Sequence, residues 1–215
     1  MDKKFCIFDM DGTLTDSMSY WNALGRNYLR ARGIRPQEEI LRRMKGATLT
    51  ESAVWFMEEF GVPGPAERIV AEFNEIMAGH YRDDIPLKEG VADYLKGLKT
   101  KGVKLAVASA TALPLVRACL ERLEVAHLFD AFTSCESIGK SKEFPDVYLE
   151  AARQLGGAPE ECAVFEDALF AAATAKKAGF YTVGVYDVNC EKDWPAMEQL
   201  CHETVGDWRE CRADL

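Results

Sequence analysis

Four carboxylates, one hydroxyl and one amine stand just past the ends of short apolar runs in this chain of 215 residues. Asp9 and Asp11 follow Lys4 to Phe8, and Ser109 follows Val103 to Ala108. Lys142 lies beyond Ala131 to Thr133, and Glu166 and Asp167 come directly after Cys162 to Phe165. Carboxylates crowded on one rim repel each other and raise each other's pKa unless a cation is held among them. The cation that suits such oxygens is a hard divalent ion, most simply Mg²⁺, with some waters retained. A lysine in the same rim pairs with a carboxylate nucleophile and with a phosphate oxygen, while a hydroxyl and backbone N–H groups offer neutral hydrogen bonds to the remaining oxygens. Metal, amine and hydroxyl around an aspartate nucleophile describe phosphoryl transfer.

The elements that must position these groups follow from periodicity. Lys4 to Phe8 is an apolar run that stops abruptly at Asp-Met-Asp-Gly-Thr, as a buried parallel strand does when it enters a loop. From Ser17 to about His80 the spacing is helical, broken by the turns at Gly33 to Pro36 and Gly61 to Pro65, and it predicts an all-helical insertion. Beyond Gly90, helices alternate with the strands Val103 to Ala108, Ala131 to Thr133, Cys162 to Phe165 and Tyr181 to Val185. Such alternation means crossover-connected parallel strands with helices on both faces, an α/β fold. Ligands of these folds sit outside the C-terminal ends of the strands, where the strand order reverses, which is where the six groups fall.

The run Phe8-Asp9-Met10-Asp11-Gly12-Thr13-Leu14-Thr15-Asp16-Ser17 resembles the first signature of the haloacid-dehalogenase superfamily of aspartyl phosphotransferases. Ala108-Ser109-Ala110 resembles the second signature, Lys142-Glu143-Phe144-Pro145-Asp146 the third and Phe165-Glu166-Asp167-Ala168 the fourth, in the family's order. The resemblance implies a Rossmann-like core with a parallel sheet flanked by helices, over residues 1–16 and 82–215, and a small all-α cap over residues 17–81, as in β-phosphoglucomutase-like and phosphoglycolate-phosphatase-like members. It implies that Asp9 attacks phosphorus and that Asp11 is the acid and base, its backbone carbonyl also facing the metal. Asp9, Asp11, Glu166 and Asp167 would hold Mg²⁺. Ser109, the Ala110 N–H, Gly12, Thr13 and Lys142 would hold the phosphoryl group, and Trp21 and Lys45 of the insertion are candidate substrate contacts.

Rival readings of the same residues are weaker. A calcium loop starting at Asp9 fails because its sixth position is Leu14 and its twelfth Tyr20, where Gly and Glu are required. Ser109 lacks a Gly-x-Ser-x-Gly elbow. Lys140 competes with Lys142 for the third signature, which lacks the family's first proline. Ser134 to Ser141 hints at a phosphate-binding loop, but Ser134 replaces the leading glycine and the segment is not expected to open a helix straight after a strand. Seven cysteines make an odd count with no C-x-x-C pair, and Cys190, Cys201, His202 and Cys211, spaced 11 and 10 apart on the cysteines, match no zinc pattern.

Hydrophobic residues are 48% and charged ones 28% of the chain, as in globular proteins. The formal net charge of −9, without any basic run, argues against nucleic acid. No apolar stretch suits a signal peptide or a membrane span, so a cytoplasmic enzyme, monomeric or weakly dimeric, acting on a small phosphorylated metabolite is expected. Within the family, mutases carry a histidine and a cap arginine where Trp21 and Leu49 stand here, and Thr13 resembles the phosphatase form. The expectation is a Mg²⁺-dependent phosphatase, with a β-phosphoglucomutase-type mutase as the alternative. A dehalogenase proper tends to lack Asp11, and a non-catalytic binding module would be favoured only if Asp9, Asp11, Lys142 or Asp167 were replaced.

Overall fold

The computed structural model describes residues 3–37 and 48–211. The chain divides into two compact units, Met1–Ser17 with Ile85–Leu215, and Met18–Asp84.

The first unit is built on a six-stranded sheet, counted over the described residues, in the order β3-β2-β1-β4-β5-β6. The strands are β1 Phe5–Phe8, β2 Lys104–Ser109, β3 Ala131–Ser134, β4 Cys162–Glu166, β5 Tyr181–Val185 and β6 Glu203–Val205. Each neighbouring pair is parallel. Cys6, Ile7 and Phe8 are buried with no alternation, the pattern of a strand covered on both faces. Phe8 pairs in register with Phe165 of β4, and their rings stack at 4.3 Å. Each fully buried ring of this kind contributes about 1.5–3 kcal/mol relative to exposure.

Helices flank the sheet: α4 Val91–Thr100, α5 Leu113–Arg122, α6 Cys135–Ile138, α7 Asp146–Leu155, α8 Leu169–Lys177 and α9 Trp194–Leu200. Val147, Tyr148, Ala151, Ala152 and Leu155 of α7 recur at helical spacing and pack on Ile7, Ala106 and Val164 of the sheet. Ala171, Ala172 and Ala175 of α8 are buried, small residues that bring the helix axis close to the strands. Beyond β6 the chain makes a 3-10 turn, Trp208–Glu210. Gly90 lies beside it with φ 88°, and a Cβ there would come within 2.7 Å of the Arg209 nitrogen and the Trp208 carbonyl carbon.

The second unit holds α1 Met18–Ala31, α2 Leu49–Phe60 and α3 Ala66–Asp83. Thr48 closes a capping box with Glu51 at the start of α2, and Gly61 ends that helix in the left-handed region. Its core is aromatic: Tyr28 meets Phe73 edge-on at 4.7 Å and Phe56 meets Phe73 at 5.6 Å. The Tyr28 hydroxyl donates to Glu72 at 2.7 Å. No strand occurs among its described residues, as the spacing predicts. None of the described helices is long and apolar enough to cross a membrane.

Two departures from the sequence reading have local causes. Helix α6 does follow β3 directly, because the Ser134 hydroxyl accepts from the Ser137 N–H at 3.2 Å and caps it. The expectation that no helix opens there is therefore corrected. The phosphate-loop reading still fails, since the helix is four residues long and Lys140 is engaged outside by Asp146 at 2.6 Å. Strand β6 and helix α9 were not expected: β6 is a three-residue edge strand in which only Val205 is buried, too short to show a period.

Candidate active site

The sheet topology places the carboxylates. Strand order reverses between β1 and β4, and in folds of this class ligands bind outside the C-terminal ends of the strands at such a point. Asp9 is the first residue past β1 and its N–H donates to the Phe165 carbonyl at 3.0 Å. That bond sets Asp9 beside Glu166, the last residue of β4, and Asp167 after it. One carboxylate oxygen from each of Asp9, Glu166 and Asp167 lies within 4.8 Å of the others, and all three residues are buried.

Lys142 closes this cluster from the loop before α7. Its Nζ donates to Asp9 Oδ1 and, at 2.6 Å, to Glu166 Oε1. The same Glu166 oxygen accepts from the hydroxyl of Tyr148, also at 2.6 Å. With all four ionised, three carboxylates and one ammonium sum to −2. A buried charge of that size is costly unless compensated, and a divalent cation bound by these oxygens neutralises it, so the donor set fits a hard ion such as Mg²⁺.

The charges register the same imbalance. Burial pushes Asp9 well above the usual carboxylate range; Lys142 pulls it back, and Glu166, Asp167 and Asp11 push it further up. Burial, and then Glu166, carry Asp167 up to about 7. Mutual repulsion among the carboxylates, expected from the sequence to cause such shifts, contributes here, but loss of water is the larger cause. Burial lowers the Lys142 ammonium's pKa, but Asp9 and Glu166 together outweigh it and leave the amine above its ordinary value.

Asp11 is turned differently. Its carboxylate accepts from the Ser17 hydroxyl at 2.7 Å and the Thr111 hydroxyl at 2.7 Å, so its side chain stands apart from the trio that could hold a cation. Gly12, with φ 82°, turns the loop, and Thr13 behind it donates from Oγ1 to Asp167 Oδ1 at 3.2 Å. Ser109 ends β2, buried, and accepts from the Thr111 N–H at 3.0 Å; Ala110 beside it is exposed. Trp21 belongs to the second unit, where its indole N–H donates to the Tyr81 hydroxyl at 3.0 Å. Lys45 falls outside the described residues.

Residues 3–179 match the family model of haloacid dehalogenase-like hydrolases. The chain belongs to that family. It is 31% identical over 199 residues to hexitol phosphatase A of Escherichia coli, covering 90% of this chain and 87% of that one. It is 30% identical over 194 residues to a β-phosphoglucomutase of Bacillus subtilis, covering 85% and 83%. A crystal structure of a proposed β-phosphoglucomutase from Thermotoga maritima superposes with a TM-score of 0.80 at 26% identity, over 96% of this chain and 95% of that one. The α/β core with a parallel sheet flanked by helices is thus the haloacid dehalogenase-like fold, and the chain is an enzyme of that class.

Several residues of this hydrolase's site escape sequence reasoning. Tyr148 is legible as a buried position of α7, but nothing in its spacing marks a hydroxyl aimed at Glu166. Ser17 closes the first signature and Thr111 stands two residues past Ser109, so proximity to a motif is a usable signal for both. Lys88 donates to the Tyr186 carbonyl at 2.7 Å and pairs with buried Asp187 at 3.0 Å. That pair holds the segment returning from the insertion against the end of β5, and neither residue lies in a motif.

Proposed function

We propose that this enzyme is a Mg²⁺-dependent phosphatase that hydrolyses a small phosphomonoester, a sugar phosphate first among candidates, through an aspartyl-phosphate on Asp9. The observation that carries this reading is the buried cluster in which Lys142 bridges Asp9 and Glu166 beside Asp167, with Asp11 two residues from the nucleophile. The metal ligands are Asp9, Glu166, Asp167 and the Asp11 backbone carbonyl.

In the first step an Asp9 oxygen forms a bond to phosphorus as the ester P–O bond breaks, and Asp11 gives its proton to the departing alkoxide. In the second, Asp11 takes a proton from water, whose oxygen attacks phosphorus and frees Asp9 with release of phosphate. Lys142, the Ser109 hydroxyl and the Ala110 N–H hold the phosphoryl oxygens while the chemistry proceeds, with Gly12 and Thr13 shaping the loop below. Ser17 and Thr111 orient Asp11 for both transfers. A bound divalent cation supplies the positive charge that offsets the carboxylates and the phosphoryl oxygens. Residues 17–81 act as the substrate-selecting cap, with Trp21 and Lys45 as its candidate contacts. The enzyme is read as cytoplasmic, a monomer or weak homodimer, with no nucleic-acid or membrane partner.

The relative from Bacillus subtilis keeps a mutase reading in play, in which a second sugar hydroxyl rather than water takes the phosphoryl group. Trp21, Leu49 and Thr13 favour the phosphatase. The test is phosphate release from sugar phosphates, nucleotides, FMN, phosphoglycolate and an aryl phosphate, with Mg²⁺ and with EDTA, together with a coupled glucose 6-phosphate assay on β-glucose 1-phosphate. Mg²⁺-dependent release supports the phosphatase; isomerisation without release establishes the mutase instead.

A further inference from the structure

We infer that Trp208, far from every motif in sequence, is a positioning residue of the active site: it holds the loop after β1 and, through Thr13, the Asp167 carboxylate. Its indole N–H donates to the Thr13 carbonyl at 3.2 Å in a buried contact spanning 195 residues. Thr13 in turn donates its hydroxyl to Asp167 Oδ1. One indole thereby fixes the backbone of the residue whose side chain orients a candidate metal ligand.

The ring contacts bear on the same two strands independently. Trp208 stacks on Phe165 at 5.8 Å with 29° between planes, and lies tilted over Phe8 at 6.3 Å. Phe8 immediately precedes Asp9, and Phe165 immediately precedes Glu166. Trp208 also packs on Tyr94 of α4 at 5.0 Å, and Gly90 lets the turn carrying it approach, since a Cβ there would meet its backbone. A residue that only filled the core would need none of this polarity. Leu or Phe could cover the same rings, whereas the bond to Thr13 requires a side-chain donor at the ring edge.

The inference rests on the metal site proposed above, and calorimetry of Mg²⁺ alone binding to the full chain tests it without any substrate. Trp208→Phe keeps an apolar ring and removes the donor. It is expected to weaken Mg²⁺ binding about three- to tenfold, the span that one neutral hydrogen bond commands. Tyr94→Leu thins the same aromatic cluster, where Tyr94 packs on Phe165 and Trp208, and removes no hydrogen bond to the loop; it lowers the melting temperature in EDTA while leaving Mg²⁺ affinity within about twofold of wild type. Thr13→Val weakens Mg²⁺ as well, and the double variant is no weaker than Thr13→Val alone, because both changes remove one link. Should the phenyl variant not fold, Trp208→Leu reads out the same affinity. Wild-type affinity in a folded Trp208 variant, an equal loss in Tyr94→Leu, or losses that multiply in the double variant would each overturn the inference. Wild-type protein that binds no Mg²⁺ overturns the metal reading itself, and this one with it.

Discussion

Lys142 stands between two buried carboxylates, so removing its charge strands both. Lys142→Met is expected to cost about 3–5 kcal/mol in EDTA, the usual penalty for breaking a buried ion pair. The deficit should shrink when Mg²⁺ is added, as denaturant unfolding with and without the ion will show. Asp9→Asn keeps the shape of the proposed nucleophile and removes its charge. It is expected to leave the far-UV spectrum intact and turnover below about a thousandth of wild type, since loss of a nucleophile can cost roughly 10⁶ in rate; higher residual turnover in a phosphate-release assay argues against a covalent intermediate. Asp9, Ser109, Glu166 and Asp167 are legible in the sequence because each stands at or directly past the end of a strand that an apolar run marks, whereas Lys142, separated from β3 by a helix, is legible only through the motif around it. Tyr148 and Trp208 are not: a hydroxyl on a buried helix face and an indole on a distant turn read as packing until the partner atom is seen.

Elements carry the next set of consequences. Gly90 is needed where it is, with a left-handed φ and the Trp208 turn against it; Gly90→Ala combines backbone strain with a clash and is expected to destabilise by about 1–3 kcal/mol, measurable as a lower urea midpoint. At the sheet edge, His202 stacks on Tyr181 at 4.5 Å and its Nδ1 accepts from the Thr182 N–H at 3.0 Å. Desolvation first, then Lys176 and Lys3, lower its pKa below the ordinary histidine value. A histidine lowered in the folded state holds its contribution above the unfolded pKa of about 6.5 and loses it as pH falls, so the bond weakens under acid. Proton NMR should place the His202 midpoint below that of unfolded chain; a midpoint at or above it contradicts the assigned contacts. Strands with four or more apolar positions, such as Cys162–Glu166, announce themselves by composition. Strand β6 does not, because an edge of three residues with one buried side chain has no pattern to display.

At the scale of the whole molecule the first five parallel strands and the helical insertion follow from the alternation of apolar runs, whereas substrate identity does not, because helix spacing in residues 17–81 says which side chains are apolar and not what they face. A cation bound only by the folded chain stabilises it by mass action: at a hundred times its dissociation constant Mg²⁺ is expected to add about 2.7 kcal/mol. A melting temperature unmoved by Mg²⁺ over an EDTA baseline rules that site out. The order β3-β2-β1-β4-β5-β6 has a consequence for synthesis. The central strand β1 is made before both of its neighbours, β2 and β4: Thr13 meets Asp167 across 154 residues, and Asp9 meets Lys142 across 133. At roughly 5–20 residues per second, about eight to thirty seconds pass between the synthesis of β1 and that of β4, its partner on one edge. For most of its translation the nascent chain therefore carries its central strand with the β4 edge unpaired.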